Sequence, residues 1–183
     1  GGSSDRLIGF NELIDETWTR IEKMSERDGS MRGTPSGFKD LDHKLSGFQP
    51  SDLIILAARP SVGKTSLALD FARNAAVKHG IPTAIFSLEM SKEQLVDRML
   101  SAQSQVDSWK LRTAKLSLDE EFQRLQQGMH ELMKAPIYVD DKAANTILNM
   151  RSTLRRLNTD KPIGLVIVDY LQLMGTSKTY DNM

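Results

Sequence analysis

The sequence contains no cysteine, which excludes disulfides and thiolate metal sites and fits a reducing compartment. It has no surplus charge of either sign, with 24 basic residues against 24 acidic ones. No global positive field therefore advertises nucleic acid, although a local binding face is compatible with that balance. Aromatic residues make up only 6% of the chain. No apolar run approaches the roughly 18 residues of a membrane span, and no secretory signal opens the sequence. There is also no internal repeat and no low-complexity tract. What remains is a hydrophobic fraction of 39% and a charged fraction of 26% over 183 residues, ordinary for one globular domain with an appendage.

The appendage lies at the start. Residues 1–4, GGSS, read as a cloning scar or flexible lead. Leu7, Phe10, Leu13, Ile14, Trp18, Ile21 and Met24 then recur at steps of three or four, which predicts an amphipathic helix from about Asp5 to Arg27. Its stripe suits packing on its own domain or docking on a neighbouring subunit, and periodicity alone does not choose. The segment SERDGSMRGTPSG, with three glycines and a proline, reads as a linker.

Beyond it the chain alternates. Leu53–Ala58, Thr83–Leu88, Pro136–Val139 and Gly164–Asp169 are short apolar runs suited to buried strands. Helical patterns cover Thr65–Lys78, a segment from Ser91 to about Ala102, another from Ser117 to about Lys134, and Thr146–Leu157. Ser91 with Gln94 and Ser117 with Glu120 have the capping-box spacing that opens a helix. Apolar strands alternating with helices predict an α/β fold with a mainly parallel sheet covered on both faces.

LAARPSVGKTSLAL, residues 56–69, carries the chemistry. A phosphate-binding loop has the pattern G-x-x-x-x-G-K-[ST]. Here Ala58 takes the first glycine position, while Gly63, Lys64 and Thr65 match. With alanine or glycine allowed first, chance supplies the pattern in on the order of 1% of chains this long. The first position needs only a small residue at the strand exit, unless its backbone requires positive φ. Gly63 permits close backbone approach to phosphate, and the N–H groups of Ser61, Val62, Gly63, Lys64, Thr65 and Ser66 make a nest for it. Lys64 brings a compact charge to the β- and γ-phosphates. The Thr65 hydroxyl can ligand Mg2+, and the helix starting there points its positive dipole end at the anion. A triphosphatase also needs a magnesium carboxylate at the end of a buried strand, and LVIVDYLQLM places Asp169 there. IFSLEMS puts Glu89 just past another strand on the same sheet edge, where ligands of open α/β sheets collect, as a candidate for polarising water. Gln172 is a weaker candidate for orienting water or sensing the γ-phosphate.

The remaining candidates have simpler explanations. His43, His79 and His130 lack metal-ligand spacing and read as surface residues. Arg151, Arg155 and Arg156 read as a solvated helix face. Met90, Met99, Met129, Met133 and Met150 read as core filler.

SGFKDLDHKLSGFQPSDLIILAARPSVGKT, IFSLEMS, LRTAKLS and VIVDYLQLM, in that order from Thr34 to Gly175, closely resemble the motor domain of bacterial replicative DNA helicases of the DnaB type. Alanine at the first loop position is usual in that family. The resemblance implies a RecA-like P-loop domain assembled as a homo-hexamer, with ATP and Mg2+ between subunits and single-stranded DNA in the central channel. Lys64 and Glu89 would be catalytic, and Thr65 and Asp169 would hold the metal. Residues 5–33 would be the linker helix and its connecting loop, docking on the next subunit. Residues 34–183 would be an ATPase core incomplete at its carboxyl end, with DNA-contacting loops and an arginine finger expected beyond Met183. Such a fragment would hydrolyse ATP weakly at best. Primase and a helicase loader are the implied partners, the bacterial cytoplasm and nucleoid the implied location. The alternatives are a nucleotide-stabilised interaction module or a recombinase- or clock-type ATPase of the same fold.

Overall fold

The computed structural model describes residues 7–26, 32–59, 62–116 and 119–169. The chain divides into two compact units, Gly1–Met31 and Arg32–Met183.

The first unit holds one helix, α1 (Phe10–Ser25). It starts later than the apolar spacing suggests. Gly9, extended at φ −66° and ψ 144°, occupies the N-cap position, so Leu7 and Ile8 precede the helix. Glu12 in the first turn and Lys23 in the last complement the helix dipole. Trp18 donates its indole N–H to Glu22 Oε1 at 2.7 Å, one turn along. Among the described residues of this unit, the helix has no second element against which to bury its apolar stripe.

The second unit starts with segments read from sequence as linker or loop. Thr34 and Phe48 exchange backbone hydrogen bonds of 2.9 and 2.8 Å in an isolated antiparallel bridge. The Thr34 hydroxyl donates to Gly164 O at 2.9 Å, so residues 34–37 belong to the folded core and not to the linker. The short helix α2 (Lys39–Leu45) follows, absent from the sequence reading. Buried Asp42 folds it back by accepting the N–H groups of Ser36 and Gly37 at 2.8 and 3.3 Å.

Next come α3 (Lys64–Arg73), a π-helical turn (Asn74–Lys78), β1 (Thr83–Ser87), α4 (Lys92–Ser104), α5 (Ser108–Thr113), α6 (Asp119–Lys134), β2 (Ile137–Asp140), α7 (Ile147–Asp160) and β3 (Leu165–Asp169). Among the described residues, three strands form one parallel sheet in the order β2-β1-β3. Thr83 sits opposite both Ile137 and Leu165, and Ser87 opposite Asp169. β1 is buried along its whole length. Alternating side chains of a strand point to opposite faces. Ile85 packs with Leu69, Ala72, Leu95 and Met99 from α3 and α4. Ala84 and Phe86 pack with Leu88 and with Met150 of α7. Both faces of β1 are therefore covered, as its apolar centre requires.

The capping box at the start of α4 forms as its sequence predicts, and Thr146 caps α7 by accepting the Asn149 N–H at 3.2 Å. Ser117, the expected cap of α6, lies outside the described residues. On the helical face, Arg73 donates to Gln103 and Asp70 at 2.9 and 3.2 Å. Gln103 in turn donates to Glu131, tying α3, α4 and α6 together. Gln127 and then Gln103 hold the Glu131 carboxyl below its usual range by hydrogen-bonding its charged form.

Two expectations are corrected. Leu53–Ala58 forms no strand: Leu53 is 87% and Ile55 74% exposed, and neither pairs. Exposure still alternates with the period of extended chain, since Ile54 and Leu56 are more covered. An apolar run becomes a strand only where a neighbour supplies ladder bonds. Among the described residues, β3 is paired on one side only and none pairs with residues 53–58. The methionines also divide. Met99 and Met150 are core and Met90 packs against it, whereas Met129 and Met133 are exposed on α6. His43, His79, His130 and the three arginines of α7 are exposed, as read.

Candidate functional site

The carboxyl edge of the sheet collects the sequence-predicted residues. Gly63 is the N-cap of α3, at φ 91° and ψ 21°, in the left-handed region where a side chain is disfavoured. Apart from its chain neighbours, no described atom lies within 4 Å of the position a Cβ would take, so conformation and not crowding demands glycine there. Positive φ occurs at Ser46, Ser51, Gln105 and Ala114 among described non-glycine residues, but not at Ala58. The alanine that departs from the loop pattern is therefore unstrained. Lys64 and Thr65 are the first two residues of α3, with their main chain at its positive end.

Asp169 ends β3 and is 8% exposed. The Thr65 hydroxyl donates to its Oδ2 at 3.0 Å, and Lys64 Nζ lies 3.7 Å from its Oδ1. One carboxylate thus reaches both the hydroxyl and the ammonium of the loop, across 104 residues of sequence. The chemistry of these donors fits Mg2+, a hard cation taking a hydroxyl, a carboxylate and phosphate oxygens. No group of three or more His, Asp or Glu residues that could hold a metal occurs among the described residues. A phosphate-bridged magnesium site needs few protein ligands.

Glu89 lies in a bend directly after β1 and is exposed. Leu88 N–H donates to Asp169 O at 2.7 Å, which fixes the residue before Glu89 against the end of β3. The bend is closed by Ser87, whose hydroxyl donates to Met90 O at 2.8 Å and accepts the Met90 N–H at 3.1 Å. Beyond the bend, Lys92 N–H donates to Asp141 Oδ2 at 2.9 Å. Sequence reasoning passed over Ser87 and Asp141, whose hydrogen-bonding partners become evident only once the strands are aligned. Val62 and Ser66 are exposed, while Ser61 and Gln172 lie outside the described residues.

A cavity of about 590 Å³ lies beside this edge, between α3, α4 and α5. Ser66, Asp70, Arg73, Arg98 and Arg112 are among its lining residues. Of the loop residues, Ser66 lines it, whereas Lys64, Thr65, Glu89 and Asp169 do not.

A sequence model described as DnaB-like helicase C terminal domain matches residues 33–183. The replicative DNA helicase DnaB of Geobacillus stearothermophilus is 45% identical over 98% of this chain and 39% of its own length. The replicative DNA helicase DnaC of Bacillus subtilis (strain 168) is 42% identical over 94% of this chain and 38% of its own. The chain thus spans about two fifths of the length of these relatives. Among solved structures, one ATPase domain superposes with a TM-score of 0.86 at 28% identity. That match covers 97% of this chain and 62% of the other. A DnaB-like replicative helicase studied for its interactions with primase superposes at 0.83 and 28% identity, over 94% of this chain and 45% of its own.

Proposed function

The chain belongs to the family of DnaB-like helicase C-terminal domains, and on that premise we propose that it binds and hydrolyses Mg·ATP to drive a replicative DNA helicase. The observation that carries this reading is Asp169, placed within reach of both Thr65 and Lys64. In this reading Lys64 moves its charge from Asp169 to the β- and γ-phosphates when nucleotide enters, and the amides of residues 61–66 cradle the same oxygens. Thr65 and Asp169 would hold Mg2+, which would supply charge neutralisation to the triphosphate. Glu89 orients the attacking water and accepts its proton as the oxygen bonds to the γ-phosphorus and the bond to the ADP oxygen breaks. Catalysis of this kind rests on positioning and electrostatics, which suits a site assembled from three chain segments at one sheet edge.

The partners belong to the same proposal. Single-stranded DNA is the track, α1 the linker helix of a homo-hexamer, and primase and a loader the accessory proteins. The proposed location is the bacterial cytoplasm at the nucleoid. No helix among the described residues is long and apolar enough to cross a membrane.

Steady-state hydrolysis of Mg·ATP, with and without single-stranded DNA, tests the reading in wild type and Lys64→Ala. Weak hydrolysis is expected in wild type, and it is expected to be lost in the variant. Equal rates in both proteins contradict the assignment of the loop.

A further inference from the structure

We propose that Ser87 is a positioning residue for Glu89, setting the place of the carboxylate that handles the attacking water. The inference rests on the hydrolytic reading above and adds a residue to it. Ser87 is the last residue of β1 and is 1% exposed, so its hydroxyl must find partners within the protein. It finds both on one residue, donating to Met90 O at 2.8 Å and accepting Met90 N–H at 3.1 Å. One hydroxyl thereby satisfies the carbonyl and the amide of Met90 and closes residues 87–90 into a tight bend.

The bend is held at its other points as well. Ser87 sits in register with Asp169, and Leu88 N–H donates to Asp169 O at 2.7 Å. The Leu88 side chain is buried with Ala84, Phe86 and Met150. On the far side, Ser91 and Gln94 form their capping box and Asp141 accepts from Lys92 N–H. Glu89 is the exposed residue between these anchors, inside the bend that the Ser87–Met90 contacts close. Displacing a reacting group by about 1 Å can cost about a hundredfold in rate, so a loosened bend is expected to be felt in turnover. Alanine at position 87 removes both hydrogen bonds while nearly preserving volume. The perturbation therefore falls on the bend and not on core packing.

The test is a double-mutant cycle on the assembled protein: Ser87→Ala, Glu89→Ala and the pair. Turnover at saturating Mg·ATP is measured for each, with the Kd of a non-hydrolysable ATP analogue beside it. Ser87→Ala is expected to lower kcat about tenfold and to leave Kd within about twofold, because the lost contacts act on the transition state. In the Glu89→Ala background the same change is expected to cost nothing further, as for residues that act as a unit. Hydrogen exchange supplies an arm that needs no turnover. The Met90 amide is expected to exchange about tenfold faster in Ser87→Ala, while Ile85 and Phe86 keep their protection.

An equal loss of kcat in both backgrounds overturns the proposal, because the hydroxyl then acts through the fold and not through Glu89. Unchanged kcat or unchanged Met90 exchange in Ser87→Ala overturns it as well. A Glu89→Ala variant that hydrolyses at the wild-type rate overturns it by removing the residue to be positioned. Failure of the underlying reading is distinguishable, since Lys64→Ala would then bind and hydrolyse like wild type.

Discussion

Gly63 and Gly80 both have positive φ, 91° and 63°, and, chain neighbours apart, neither has a described atom within 4 Å of the position a Cβ would occupy. Alanine at either site therefore incurs a conformational cost without a clash, about 1–2 kcal/mol for a left-handed residue. A domain of this size loses roughly 2–4 °C of Tm per kcal/mol, so each variant is expected to melt about 2–8 °C below wild type. Function separates them. Gly63 precedes the two residues that meet Asp169, whereas Gly80 closes the π-helical turn at the far end of the same helical segment, its N–H donating to Ala76 O at 3.1 Å. Gly63→Ala is expected to weaken Mg·ATP binding tenfold or more, about 1.4 kcal/mol, because its amides no longer converge on phosphate. Gly80→Ala is expected to bind as wild type does. Differential scanning calorimetry gives the Tm values, and isothermal titration gives the affinities. The reasoning is refuted if Gly63→Ala binds nucleotide at wild-type affinity, or if both variants lose binding equally.

Other consequences follow from the packing and the polar contacts. Asp42→Ala strands the amides that Ser36 and Gly37 donate to its buried carboxylate, and should cost about 2 kcal/mol in urea unfolding. A loss below about 0.5 kcal/mol would mean that water replaces the carboxylate there. Phe86→Ala, in the cluster between β1 and α7, should cost about 3–5 kcal/mol by the same measurement, and a surface-like value would contradict the placement of α7. Because Gln127 and Gln103 lower the Glu131 pKa in the folded state, the unfolded chain takes up that proton first as pH falls. Its stabilising contribution is thus present above the ordinary value of 4.5 and is lost as pH drops through the folded-state value. Glu131→Gln should flatten that acid limb, and an unfolding midpoint with unchanged pH dependence would count against the Gln103–Glu131–Gln127 contacts.

What the sequence disclosed was what short-range chemistry decides. The Ser91–Gln94 box was readable because both hydrogen bonds close within one helical turn. The strand read at Thr83–Leu88 was legible through its apolar centre, Ala84–Phe86, which is buried on both faces, and it ends at Ser87. Lys64, Thr65 and Asp169 were readable because strand ends and helix starts converge at one sheet edge whatever the loops between them do. The failures share a different cause. Asp42 looks like any surface carboxylate until its amide partners are in place, so α2 and the ordered residues 34–37 passed for loop. Leu53–Ala58 has the composition of a strand, but a strand is defined by a neighbour, and none among the described residues pairs with it. Met133 has the side chain of a core residue, yet it lies on the outer face of α6 and is exposed. Ser87 stands in the motif IFSLEMS without an evident role, because its partner Met90 is brought back only by the bend.

The central claim is that Lys64, Thr65 and Asp169 form one nucleotide site. Titration calorimetry with Mg·ATP on wild type, Lys64→Ala and Asp169→Asn tests it most directly. The account predicts binding by wild type, no measurable binding by Lys64→Ala, and in Asp169→Asn a loss of magnesium dependence together with weakened affinity. Wild-type affinity in both variants would contradict it, because the carboxylate and the ammonium would then be paired for the fold alone.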